Sequence, residues 1–137
     1  MGRVMGIDMG SVRVGLAISD ESGILASGHG HLIFKGYEDL IQGLIQIARR
    51  ESVMEFVIGL PLNMNGSHGP QAAKAEKLAG MLRHKSGLPV TLSDERLSTV
   101  EATRLLHAGG KKATRGIVDA AAATVILQAF LDGQKKG

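Results

Sequence analysis

Apolar and polar positions along this chain switch between two periods. Residues 3–9 and 12–19 are rich in aliphatic and β-branched side chains, and Gly10–Ser11 between them completes a hairpin signature. "DESG" at 20–23 is a turn signal, after which 24–33 predicts a third, weaker antiparallel strand. From Tyr37 to Glu51, apolar Leu40, Leu44, Ile47 and Ala48 recur at helical spacing. Residues 54–60, "MEFVIGL", are almost uninterruptedly apolar, the pattern of a strand covered on both faces. A loop rich in Gly, Pro and Asn follows. Pro70 then predicts the first residue of a helix running to about Ser86 and closed by Gly87. Residues 89–93 predict another short strand. Ser98 to Glu101 match a capping box opening a helix that stops at Gly109–Gly110. After the basic "KKATRG" comes a last helix, with Val118, Ala121, Ala122, Val125, Ile126, Ala129 and Phe130 predicted as its buried stripe.

The predicted order is β-β-β-α-β-α-β-α-α. A three-strand meander followed by alternating helices and strands implies a mixed five-stranded sheet with helices on both faces. That is an α/β domain, and the order matches the ribonuclease H-like fold. With no internal repeat, low-complexity tract or interior linker, residues 1–137 are expected to form one domain.

Composition narrows the chemistry. The chain has no Cys, which excludes disulfides, thiolate metal sites and cysteine nucleophiles. No apolar run approaches the roughly 20 residues of a membrane helix, and the N-terminus lacks a signal-peptide layout, so a cytoplasmic protein with no membrane partner is expected. A net charge of +3 and a pI near 9.5 lean toward a polyanionic partner. Aromatic residues are only 3% of the chain, too few for a base-stacking platform. If nucleic acid binds, its phosphates are the handle.

Acidic residues at three places in the chain sit where solvated charge is not expected. Alternation puts Asp8 on one strand face with Val4 and Gly6. Asp94 and Glu95 follow a predicted parallel strand, at the edge where α/β sheets gather their sites. Asp119 lies near the start of the last helix, beside alanines 120–123 that would let the helix approach the sheet. Three converging carboxylates repel one another unless a divalent cation neutralises them. Mg²⁺ or Mn²⁺ takes hard oxygen ligands, and two such ions about 3.5–4 Å apart can activate water against a phosphodiester. In that reading Gly6 and Gly10 leave room for metal and phosphate.

Each residue also has a plainer role. Asp8 can cap the hairpin turn, Asp94-Glu95-Arg96 can be a surface ion network, and Asp119 can serve the helix dipole. Lys111, Lys112 and Arg115 are equally a phosphate clamp or a solvated loop. Glu101 belongs to the capping box and Asp20 to the turn. Ser67 in "GSHG" has no nucleophile-elbow spacing, "GGKK" is not a phosphate loop, and His29 with His31 lacks a third ligand.

Four segments in order, "GIDMGSVRVGLAISD" (6–20), "IGLPLNMNGSHGPQA" (58–72), "DERLSTVEA" (94–102) and "VDAAAATVILQAFLD" (118–132), resemble the YqgF family and span nearly the whole chain. Members are described as pre-16S rRNA nucleases and as Holliday junction resolvases, with a ribonuclease H-like fold related to RuvC. The resemblance implies acidic active-site residues at Asp8, Glu95 and Asp119, with Asp94 as the structural half of its pair. It also implies that Arg13 and Arg96 lie near the site, and that Asn63, Asn65 and Ser67 border the cleft and can bond a nucleic-acid backbone. The loop "GGKKATRG" is shorter than many members have, which lessens the expected grip on a four-way junction. The leading expectation is a Mg²⁺- or Mn²⁺-dependent endonuclease, monomeric or homodimeric, processing the 5′ end of pre-16S rRNA. The alternatives are a Holliday junction resolvase and a non-catalytic nucleic-acid-binding factor. An actin-like ATPase shares the Asp-x-Gly-Ser hairpin, but the chain is too short for its two lobes.

Overall fold

The structure is a computed structural model that describes residues 2–94 and 115–135, with side chains for 2–94 and 120–134. Its elements are β1 (Arg3–Met9), β2 (Arg13–Ser19), β3 (Ala26–Ile33), α1 (Tyr37–Glu51), β4 (Val53–Leu60), α2 (Pro70–Ser86), β5 (Val90–Asp94) and α3 (Arg115–Lys135). The predicted helix opening at Ser98 lies outside the described residues. The five strands form one mixed sheet in the order β3-β2-β1-β4-β5. β1, β2 and β3 pair antiparallel as the meander, while β4 and β5 run parallel to β1.

Both faces of the sheet are covered, which explains the unbroken apolar run in β4. Phe56 and Ile58 of β4 join Met5, Ile7, Val14 and Leu16 beneath α1 and α2, whose Leu40, Leu44, Leu78 and Leu82 are fully buried. Each such side chain contributes about 1.5–3 kcal/mol of hydrophobic stabilisation. On the opposite face Val4, Ala17 and Val57 pack against Ala123, Ile126, Leu127 and Leu131 of α3.

Two expectations for the last helix need correction. It begins at Arg115, so Arg115 and Gly116 belong to the helix rather than to the basic loop before it. Its buried stripe is also rotated in part: Ile126 is buried and Phe130 packs against the core as expected, but Ala123, Leu127 and Leu131 also face the sheet and Ala129 is exposed. Positions 117–127 are apolar except Asp119 and Thr124, so periodicity selected no unique face. The sheet selects it instead, through a row of small residues across three strands. Gly6 pairs with Ala17, and Ala17 with Gly28. A Cβ on Gly6 would lie 2.7 Å from Leu127 Cβ, and one on Gly28 would lie 3.4 Å from Ala120 Cβ.

Strand β3 reads weakly in sequence because it is an edge strand with much of its surface exposed. Gln128 of α3 reaches over its start. Gln128 Oε1 accepts from the Ala26 amide at 2.9 Å, and Gln128 Nε2 donates to the Ile24 carbonyl at 2.9 Å. The side-chain amide thus takes the place of a neighbouring strand there and fixes α3 along its length.

Candidate active site

Asp8 is the next-to-last residue of β1 and is half-buried. It pairs with Gly15 of β2 and lies one residue beyond the Ile7–Ile58 pair, at the carboxyl end of the parallel strands. Its face follows from its neighbours. Met5, Ile7 and Met9 point into the core under α1 and α2, so Val4, Gly6 and Asp8 point to the α3 side.

Helix α3 runs antiparallel to β1. Leu127 and Ala123 lie over Gly6, Thr124 and Ala120 lie over Gly28, and Gln128 binds Ala26 at the far end. The N-terminal turns of α3 therefore reach the strand edge where Asp8 sits. Position 119 falls one turn before Ala123, toward that edge. Its side chain, like that of Arg115, is not among those described. The positive end of the helix dipole lies on this side and favours negative charge there.

Arg13 opens β2 and shares Asp8's face, because Val14 occupies the opposite core. It stands diagonally from Asp8 across the hairpin, two residues from the Gly15 that Asp8 pairs with. Asp94 closes β5 in register with Leu60 and is exposed. Strand parity places it with Val90 and Leu92 on the α2 side, away from Asp8. Of the adjacent Asp94–Glu95 pair, position 94 is thus set apart from the Asp8 face. Glu95, Arg96, Lys111 and Lys112 lie outside the described residues. Among the described residues no three carboxylates or imidazoles form a metal-holding group.

The glycines around Asp8 have a different role from the one expected. Gly6 admits α3, as its contacts with Leu127 and the Ala123 carbonyl show. Gly10 admits the chain's own turn: its amide donates to the Arg13 carbonyl at 3.0 Å, and a Cβ would run into that oxygen. Their smallness brings helix and hairpin close to Asp8 rather than leaving space for a ligand.

The loop 61–69 springs from the carboxyl end of β4, between β1 and β5. Asn63, Asn65 and Ser67, expected to bond a substrate backbone, bond one another. Asn63 Nδ2 donates to Ser67 Oγ at 2.9 Å, and Asn65 Oδ1 accepts from the Ser67 amide at 2.9 Å and its hydroxyl at 2.6 Å. Backbone bonds from Asn63 N to Ser67 O and from Gly66 N to Asn63 O close the same knot. His68 Nδ1 then lies 3.0 Å from Glu76 Oε1 and ties the loop to α2. Sequence reading missed Gln128 and His68 as positioning residues. The one available signal for Gln128 was a polar residue inside an otherwise apolar helix.

Comparison with known proteins adds to this geometry. The model of the RuvX family, described as Holliday junction resolvase, matches residues 2–133. A protein of Caldanaerobacter subterraneus, provisionally named a pre-16S rRNA nuclease, is 41% identical over 97% of this chain and 98% of its own length. One from Anaeromyxobacter dehalogenans with the same provisional name is 44% identical over 95% of this chain and 96% of its own. Among solved structures, RuvC of Thermus thermophilus in complex with a Holliday junction superposes with a TM-score of 0.63 at 15% identity, covering 98% and 96% of the two chains. The yeast mitochondrial Holliday junction resolvase gives 0.60 at 13% identity, covering 98% and 80%. These likenesses establish the RuvC-type ribonuclease H-like fold expected from the strand order. The chain belongs to the RuvX family, the YqgF family of the motif reading, and is a nuclease, a hydrolase of phosphodiester bonds.

Proposed function

We propose that this nuclease is a divalent-metal-dependent endonuclease of structured nucleic acid, and that it processes the 5′ end of pre-16S rRNA during ribosome biogenesis. The observation that carries the reading is the position of Asp8. It is a half-buried carboxylate at the carboxyl end of β1, on the face crossed by α3, with Arg13 beside it. The provisional names of relatives at 41–44% identity favour the rRNA substrate.

In this proposal Asp8, Glu95 and Asp119 hold two Mg²⁺ or Mn²⁺ ions. The donor set suits them, since carboxylate oxygens are hard ligands and the chain has no thiolate. When bound, such ions generate a hydroxide near neutral pH and stabilise the leaving oxygen of the phosphodiester. The chain's own contribution is to fix Asp8 on a strand and hold the scissile phosphate. Arg13 and Arg96 would neutralise that phosphate, and Lys111, Lys112 and Arg115 would bind the flanking backbone. Asn63, Asn65 and Ser67 would line the substrate with a loop already ordered by its own bonds, at little entropic cost. Residues 1–137 would act as one domain in the cytoplasm, as a monomer or homodimer.

A Holliday junction substrate is the second reading, favoured by the RuvX family description and by the likeness to RuvC solved with a junction. Two symmetric cuts would then ask for a two-fold dimer. Mn²⁺-dependent cleavage of a pre-16S rRNA fragment and of a four-way junction, measured side by side, separates the two. Asp8→Asn is expected to reduce cleavage at least a hundredfold while leaving circular dichroism and binding unchanged. Undiminished cleavage by that variant would remove Asp8 from the site. No calorimetric Mn²⁺ binding at millimolar levels would overturn the metal-dependent mechanism.

A further inference from the structure

α2 is the most basic of the described elements. It carries Lys74, Lys77, Arg83 and Lys85 against the single carboxylate Glu76, a net +3. Its first turn has no acidic residue, whereas α1 opens on Glu38 and Asp39. The buried side of α2 is Ala72, Ala75, Leu78, Ala79 and Leu82. Ala73, Lys77, Gly80 and His84 therefore follow the outermost line, and all four are exposed.

Three contacts tune this face. Glu76, its one anion, is engaged by His68 at 3.0 Å. Lys77 Nζ rests 4.6 Å from the Tyr37 ring centroid, and Tyr37 meets Phe34 edge-on at 5.3 Å, so this ammonium is held in place. Arg83 Nη2 donates to the Val90 carbonyl at 2.8 Å and is committed to the fold. Lys74 and Lys85 have no carboxylate partner among the described residues. Gly80 meets nothing within 4 Å of where a Cβ would stand. Packing does not require a glycine there, and its absence of side chain keeps the surface low between Lys77 and His84.

We infer that the outer face of α2 is a second binding surface, a track for the sugar–phosphate backbone of the substrate's double-helical flank. The inference rests on the nuclease reading and extends it. α2 starts at the same sheet edge as the carboxyl end of β1, joined to it by the ordered loop 61–69, and runs about 25 Å away from that edge. That length matches about seven phosphates of one duplex strand. Asp8 faces α3 while α2 covers the other side of the sheet, so a substrate strand held at Asp8 would pass over the loop 61–69 at their shared edge before reaching Lys74, Lys77 and Lys85. A second copy of the chain is a poorer occupant, because two such faces would repel.

The test is binding of fluorescein-labelled RNA and DNA duplexes in EDTA, by anisotropy over a salt series, with K74Q/K77Q/K85Q against the unaltered protein. The triple variant is expected to bind about tenfold or more weakly at low salt, with the slope of log affinity against log salt shallower by about 2.7. Its circular dichroism and the rise of its melting temperature with Mn²⁺ should be unchanged. Equal duplex affinity and slope, with both of these unchanged, overturns the track and leaves the nuclease reading standing. A loss of duplex binding alongside undiminished cleavage by Asp8→Asn instead overturns the site and keeps the track. If the unaltered protein binds no duplex, the track is overturned outright. A dimer by light scattering that becomes monomeric in the variant, with duplex binding unchanged, assigns the face to self-association.

Discussion

Asp20 is the clearest case of an exposed carboxylate with a structural role. The Ser22 hydroxyl donates to Asp20 Oδ2 at 2.6 Å, and the Ile24 and Leu25 amides donate to Oδ1 at 2.8 and 3.1 Å. These bonds favour the ionised form and lower its pKa from 3.8 to about 2. A depressed folded-state pKa means stability that is present above pH 4 and is lost as pH falls through about 2. Asp20→Asn is therefore expected to melt below the unaltered protein at pH 7, with the gap closing between pH 4 and pH 2 in a thermal series. Asp8 differs in being half-buried on a strand face under a helix, and that placement, not its charge, distinguishes it from Asp20.

At the scale of elements, the contact that matters most is α3 on the meander. Gly6, Ala17 and Gly28 form the row it lies over, and Gln128 anchors it to β3. Gly6→Ala places a methyl 2.7 Å from Leu127 Cβ and 3.1 Å from the Ala123 carbonyl, so the helix has to lift. Overpacking of this kind costs about 1–3 kcal/mol, readable as a lower urea midpoint at unchanged slope. Because α3 also carries Asp119, a proposed metal ligand, cleavage should fall by more than the loss of folded protein explains. Much of the element order was legible in the sequence. Pro70 and Gly87 bracket α2, and apolar spacing marked Tyr37–Glu51. The face of α3 was not legible, since nearly every position from 117 to 127 is apolar and any stripe could have been buried.

At the scale of the molecule, the site depends on where strands and helix end. Gathering Asp8, Glu95 and Asp119 at one edge would leave like charges together, a cost that a divalent ion relieves on binding. Mn²⁺ is accordingly expected to raise the melting temperature of the unaltered protein more than that of Asp8→Asn. The stabilisation would be about 2.7 kcal/mol at a hundred times the dissociation constant. Equal shifts for the two proteins would place the ion elsewhere.

The sequence by itself determined the alternation of strands and helices, the mixed sheet, the family and the candidacy of Asp8, because periodicity, turn chemistry and motif order are local properties. Tertiary structure decided what the glycines are for, which side of α3 meets the sheet, and that Asp94 stands apart from the Asp8 face. It also turned Asn63, Asn65 and Ser67 into an ordered loop, and turned Lys77 and Lys85 of α2 outward by burying Ala72, Ala75, Leu78, Ala79 and Leu82. Those outcomes depend on strand parity, helix rotation and close approach between residues up to about a hundred positions apart. No local pattern encodes them, so the carboxylate was visible in the sequence and its surroundings were not.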